Sequence, residues 1–126
     1  MGEGGKLKHQ ELTYKIIGCA QNIHTTLGPG FPESVYHRAM CRELLTSRIP
    51  FESEKPYEVW YNGAICGEFR ADLVVAGLVV VELKALSDLT GEHPAQTLSY
   101  LRASKLDLAL LVNFGRQSLQ TKRVVL

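Results

Sequence analysis

Residues 69–84 hold two runs of branched apolar side chains, 73–75 and 78–81, on either side of Ala76 and Gly77. Such runs favour strands, and a turn at Ala76-Gly77 folds them into an antiparallel hairpin. Nearly every position is apolar, so both faces of each strand are expected to be covered. The exceptions are informative. Arg70, Asp72, Glu82 and Lys84 carry charge where burial is otherwise expected, and a buried charge needs a partner or a metal. With a three-residue turn centred on Gly77, residues whose numbers sum to 154 face each other. Asp72 then opposes Glu82, Arg70 opposes Lys84, and all four share one face. Facing Cβ atoms lie about 4.5–5.5 Å apart, which brings the two carboxylates together. One of them holds a proton unless a cation intervenes. A divalent metal is the economical answer, with the Lys84 ammonium completing the charge balance. A two-residue turn shifts the register by one and separates Asp72 from Glu82, so the argument depends on that turn.

Composition narrows the classes. The chain has 126 residues, 45% hydrophobic and 21% charged, which suits one ordinary globular domain with its own core. No apolar stretch approaches the roughly 20 residues of a membrane span, and the N-terminus lacks a signal-peptide pattern. The expected location is cytoplasmic. Cys19, Cys41 and Cys66 are odd in number and widely spaced, and read as reduced thiols rather than a zinc site. A net charge of +1 gives no global basic excess, so any nucleic-acid binding must use local patches.

In chain order, residues 1–9 contain Gly2, Gly4 and Gly5 with little apolar content and read as a flexible lead; residues 10–126 read as a single domain. Apolar residues at Leu12, Ile16, Cys19, Ala20, Ile23 and Leu27 predict a helix over 10–27, stopped by Gly28, Pro29 and Gly30. Pro32 suits the first turn of a second helix, with Val35, Tyr36, Ala39, Met40 and Leu44 as its stripe. Residues 51–61 form a first strand with Glu52, Glu54 and Lys55 at a solvated edge. Asn62-Gly63 signals a hairpin into a strand over 64–75, long enough to bulge near Gly67, and a third strand covers 78–85. A helix over 93–104 turns Ala95, Leu98 and Leu101 inward. Residues 106–114 read as a central strand, and 122–126 as a final strand or tail leaving Lys122 and Arg123 exposed.

The spacing of Asp72 from the triplet Glu82, Leu83 and Lys84, on a second hydrophobic strand, resembles the PD-(D/E)XK nuclease signature. Ala71 stands where that pattern often has proline. Upstream, Gly30, Glu33 and Tyr36 form a Gly-x-x-Glu-x-x-Tyr string. Together these resemble the GxxExxY family of PD-(D/E)XK-like proteins, over roughly residues 12–114. The resemblance implies an α/β restriction-endonuclease-like core: a mixed four- to five-stranded sheet flanked by helices, in the order α-α-β-β-β-α-β-β.

It also implies metal-dependent phosphodiester hydrolysis of nucleic acid, DNA before RNA, with Mg²⁺ or Mn²⁺ as cofactor. Asp72, Glu82 and the Leu83 carbonyl supply metal ligands, and Glu33 binds a second metal or a water. Lys84 orients or deprotonates the attacking water; Gln96 and Tyr100, four apart on one helix face, position water or backbone. Arg70 is the phosphate contact. Each role has a plainer counterpart. Glu33 at a helix start also complements the helix dipole, and Tyr36 either orients Glu33 at the substrate site or packs in the core. Gln96 can simply face solvent, and His93 reads as a cap rather than a substrate contact. No sequence-reading module is evident, which leaves specificity to shape, strand ends, a second copy or a protein partner. Two rivals remain: a nuclease-like binding or scaffold protein that does not cleave, and a dimer module in which Asp72 and Glu82 form buried salt bridges with Arg70 and Lys84.

Overall fold

The computed structural model describes residues 8–126. The expected flexible lead therefore lies outside the described residues up to residue 7. At its end Lys8 is tied down, its Nζ 2.7 Å from Asp107 and its carbonyl accepting from Arg123.

The elements are α1 (Gln10–Leu27), α2 (Glu33–Thr46), β1 (Phe51–Tyr61), β2 (Ala64–Val75), β3 (Val79–Lys84), α3 (Glu92–Ser104), β4 (Leu108–Asn113) and β5 (Gln120–Val125). The order is the expected one. The five strands form one sheet, β1-β2-β3-β4-β5. All neighbours are antiparallel except β3 and β4. Parallel neighbours need a crossover, and α3 supplies it.

Helices cover both faces, which is why the strands are continuously apolar. Ile16, Ile23, Tyr36, Met40 and Leu44 from α1 and α2 pack on Leu73, Val75, Val79, Val81 and Leu83. On the opposite face Leu101 of α3 packs on Ala71, Val74, Val80, Ala109 and Leu111. α3 turns Thr97 and Leu101 inward, with Leu98 at their side; Ala95 is exposed, contrary to expectation. Thr97 tolerates burial because its hydroxyl donates to the His93 carbonyl at 2.9 Å.

The β2–β3 turn has three residues: Val75 pairs with Val79, Val74 with Val80, Leu73 with Val81, and the Leu78 N–H donates to the Val75 carbonyl. That is the register in which Asp72 faces Glu82. Further along, β1 and β2 shift register between Val59 and Trp60, leaving Cys66 as the extra residue beside Gly67, where a bulge was expected.

Strict alternation fails at one place. Phe69 and Ala71 face α3, and so does Val74, whereas Leu73 and Val75 face α1 and α2. The reversal falls at Asp72, opposite Glu54 of β1, which has a φ of 53°. At the C-terminus Lys122 is exposed as expected. Arg123 is not: it donates to Thr13 Oγ1 at 3.0 Å and to the Lys8 carbonyl at 2.7 Å, fastening β5 to the start of α1.

Candidate active site

The site forms where β2 and β3 stop pairing through their backbones. Beyond Leu73 and Val81, side chains take over. Asp72 N–H donates to Glu82 Oε2 at 3.1 Å, and Leu83 N–H donates to Asp72 Oδ2 at 2.8 Å. Each carboxylate thus occupies a backbone donor of the facing strand, which fixes both acids at the end of a buried hairpin.

The electrostatics follow from that position. Glu82 is 5% exposed. Burial, then the neighbouring Asp72 charge, push its carboxyl up to about 8, against the pull of the Asp72 N–H and of Lys84. Burial also raises half-buried Asp72, with Glu54 adding to it; the Leu83 N–H, His37 and Lys84 act the other way. Two acids so placed share protons as a pair. Glu33, in the first turn of α2, opens to solvent on its outer side. The protein around it and the Asp72 charge nevertheless raise its carboxyl, offset by Lys84 and His37. Lys84 therefore acts on all three acids.

Tyr36 takes the core alternative and does not reach a substrate surface. It is fully buried, stacked on Phe114 with centroids 4.5 Å apart. Its hydroxyl donates to the Gly28 carbonyl at 2.6 Å and accepts from the Phe31 N–H at 3.2 Å. Tyr36 thus clamps the loop in which Gly28 and Gly30 adopt φ of 68° and 117°. That loop delivers Glu33, so Tyr36 positions the acid from inside the core.

Arg70 is not brought to the carboxylates. The reversal at Asp72 carries it to the other face, where its guanidinium reaches the Glu54 carbonyl at 3.4 Å. Tyr100 stacks on Phe69, centroids 4.2 Å apart. Burial raises its hydroxyl, and the Glu82 and Asp72 charges reach it. Gln96 lies one turn before Tyr100 and is exposed; among the described residues no hydrogen bond ties it to the acids. His93, in the first turn of α3, ties down the segment before the helix, its Nδ1 accepting from the Thr90 N–H at 2.9 Å.

Three residues near the acids carried no expected role in the site. His37 stands four residues after Glu33 and hence on its side of α2; its Nε2 lies 2.8 Å from Ser53 Oγ. Glu54 faces Asp72 across β1 and β2. Asn113, the one polar residue in β4, pairs in register with Lys84. It is wholly buried; its Oδ1 accepts from the Leu86 and Gly115 N–H groups, and its Nδ2 donates to the Leu86 carbonyl. It pins the chain as it leaves Lys84. A polar residue closing an apolar strand was the available signal.

The donors are carboxylate oxygens, which suit a hard divalent cation. Among the described residues no three His, Cys, Asp or Glu side chains converge closely enough to hold a metal by themselves. Mg²⁺ commonly sits on one or two carboxylates and completes its shell with water and substrate phosphate, so the pair Asp72 and Glu82 fits it. Within 4 Å, no ion pair among the described residues joins either acid to Arg70 or Lys84, which removes the basis of the salt-bridge module.

An α/β sheet with two helices on one face, a crossover helix on the other and acids at a hairpin end is the restriction-endonuclease-like arrangement. The family model for the PD-(D/E)XK nuclease superfamily matches residues 10–124, and the chain belongs to that superfamily. No curated protein matches the chain. Among solved structures it is similar to the one described as the crystal structure of SSO0001, with 18% identity and a TM-score of 0.56. The match covers 73% of this chain and 48% of that one, so the chain spans about half the length of that protein. This likeness concerns the fold.

Proposed function

We propose that the protein is a metal-dependent nuclease of the GxxExxY type, hydrolysing phosphodiester bonds in nucleic acid, DNA before RNA, with Mg²⁺ or Mn²⁺. Residues 10–126 act as one domain. The observation that carries the reading is the pair of carboxylates at the end of the β2–β3 hairpin, one with its pKa pushed up to about 8. A fold that buries two carboxyls side by side, so that one keeps its proton for want of a cation, and sets one lysine beside them is arranged to receive a cation.

In this reading Asp72, Glu82 and the Leu83 carbonyl would hold the cation, and Glu33 would hold a second one or a water. When bound, the metal acidifies water, polarises the phosphate and neutralises developing charge. The chain's own residues do the rest. Glu82 holds a proton at neutral pH in the metal-free site and would have to be ionised to serve as a ligand. Lys84 orients the attacking water and contacts the phosphate. Tyr100 and Gln96 line the approach from α3, and His37 steadies the charge of Asp72 and Glu33 from α2. Asn113 and Tyr36 hold the two segments that carry Lys84 and Glu33. The three free thiols, Cys19, Cys41 and Cys66, suit a reducing compartment such as the cytoplasm.

The test is cleavage of mixed single- and double-stranded DNA and RNA with Mg²⁺ or Mn²⁺, by wild type and by Asp72→Asn. Metal-dependent products from wild type alone support the reading. Binding with no cleavage under any metal would leave the non-cleaving nuclease-like protein as the better account.

A further inference from the structure

β1 and β2 outrun the rest of the sheet. They pair out to Tyr61 and Ala64, whereas β2 meets β3 only at residues 73–75. The remainder is a two-stranded arm, a form barely stable alone in water. A stack of three aromatic rings anchors it to α3: Tyr57 on Phe69 at 5.4 Å, and Phe69 on Tyr100 at 4.2 Å. Past this anchor the arm presents apolar side chains to solvent, Trp60 at 60% exposure and Tyr61 at 74%, beside Val59 and Ile65. Exposed apolar surface on such an arm invites association unless something covers it.

Between the arm and α3 runs a groove of about 520 Å³, walled by Trp60, Phe69 and Tyr100, a size in the range of ligand sites. Arg102 in the last turn of α3 and Lys105 just past its end both border it. Glu58 is its acid; a carboxylate there accepts from a base amino group. Tyr100 lines the groove and is near enough to Asp72 and Glu82 for their charges to reach its hydroxyl, so the groove lies on the α3 side of the candidate active site.

We propose that this groove binds an unpaired nucleic-acid strand, with a base stacked on Trp60 and phosphates on Arg102 and Lys105, and leads it past Tyr100 to the carboxylates. The assignment rests on the nuclease reading and specifies its substrate as single-stranded. An aromatic face flanked by cations is the recurring means of holding single strands irrespective of sequence. A duplex keeps its base faces stacked and offers none to Trp60.

Trp60 is the only tryptophan in the sequence, so its emission reports on the groove alone. In EDTA, where cleavage plays no part, an oligothymidylate of about 12 nucleotides, within the usual site sizes of roughly 4–16, quenches that emission. A duplex of equal length does not. By anisotropy of the labelled oligonucleotide, Trp60→Ala weakens binding about 5- to 150-fold, and Trp60→Phe restores part of it. Arg102→Gln with Lys105→Asn, the latter tolerated at the left-handed φ of 64°, flattens the salt dependence by about 1.4 log units per log unit of salt. Unquenched emission together with unchanged affinity of Trp60→Ala overturns the proposal. So does self-association that Trp60→Ala abolishes without any response to oligonucleotide, since a second copy would then cover the arm. The nuclease reading fails separately, by absence of metal-dependent cleavage in a protein that still passes the EDTA binding test.

Discussion

Replacing Glu82 by Gln removes the group whose ionisation the fold most resists. The amide keeps the size of the side chain and an oxygen to accept the Asp72 N–H, which Glu82 Oε2 now takes at 3.1 Å. In the metal-free protein the Glu82 carboxyl is raised from 4.5 to about 8 by burial and by Asp72. An acid with a raised folded-state pKa binds more protons folded than unfolded, so it lowers stability as pH rises between the two values. Its stabilising contribution is complete below about 4.5, falls through the window, and is gone above about 8. At about 1.4 kcal/mol per pKa unit the full shift is at most about 5 kcal/mol. Coupling to Asp72 and relaxation of the pair reduce this to about 2–5 kcal/mol. For a chain of this length that is roughly 6–20 °C in Tm. Thermal melts of both proteins in EDTA at pH 5 and pH 9 read the difference. The curves should nearly coincide at pH 5, and Glu82→Gln should melt higher at pH 9. A variant that melts lower than wild type at pH 9 would refute the reasoning, because Glu82 would then be stabilised as an anion by a partner.

Mg²⁺ binding should weaken about tenfold per pH unit below about 8, because loading displaces one proton from Glu82; calorimetry at pH 6 and 8 reads this, and a flat profile counts against it. Tyr36→Phe removes the two hydrogen bonds that the hydroxyl makes to the loop, to the half-buried Gly28 carbonyl and the Phe31 N–H, and should cost about 1–3 kcal/mol by chemical denaturation, at roughly 0.5–1.5 kcal/mol a bond. Gly115→Ala should cost at least about 1–3 kcal/mol, because its Cβ would collide with the Leu86 backbone that follows Lys84.

The elements were legible because each rests on a local signal: apolar residues at helical spacing in α1, Gly28 and Pro29 as a stop, Asn62-Gly63 as a hairpin. The facing of Asp72 and Glu82 was legible from number parity once the turn at Gly77 is taken as three residues. Arg70 was misplaced because alternation was assumed to run unbroken through Asp72. The reversal lies opposite a positive φ at Glu54 on the neighbouring strand, and no pattern within β2 signals it. Tyr36 was left between two roles for a related reason. Its motif position marks it as needed, yet its work is a hydrogen-bonded clamp on a glycine loop, which only the tertiary packing reveals. Asn113 reaches Lys84 through parallel pairing across a crossover, a contact that local sequence does not display.

A crystal soaked in Mn²⁺ and read by anomalous scattering tests the central claim most directly. The account predicts a peak at the end of the β2–β3 hairpin, bonded to carboxylate oxygens of both Asp72 and Glu82, with Glu33 on its outer side. An empty hairpin end, with Lys84 Nζ seated between the two carboxylates in the metal's place, would contradict it.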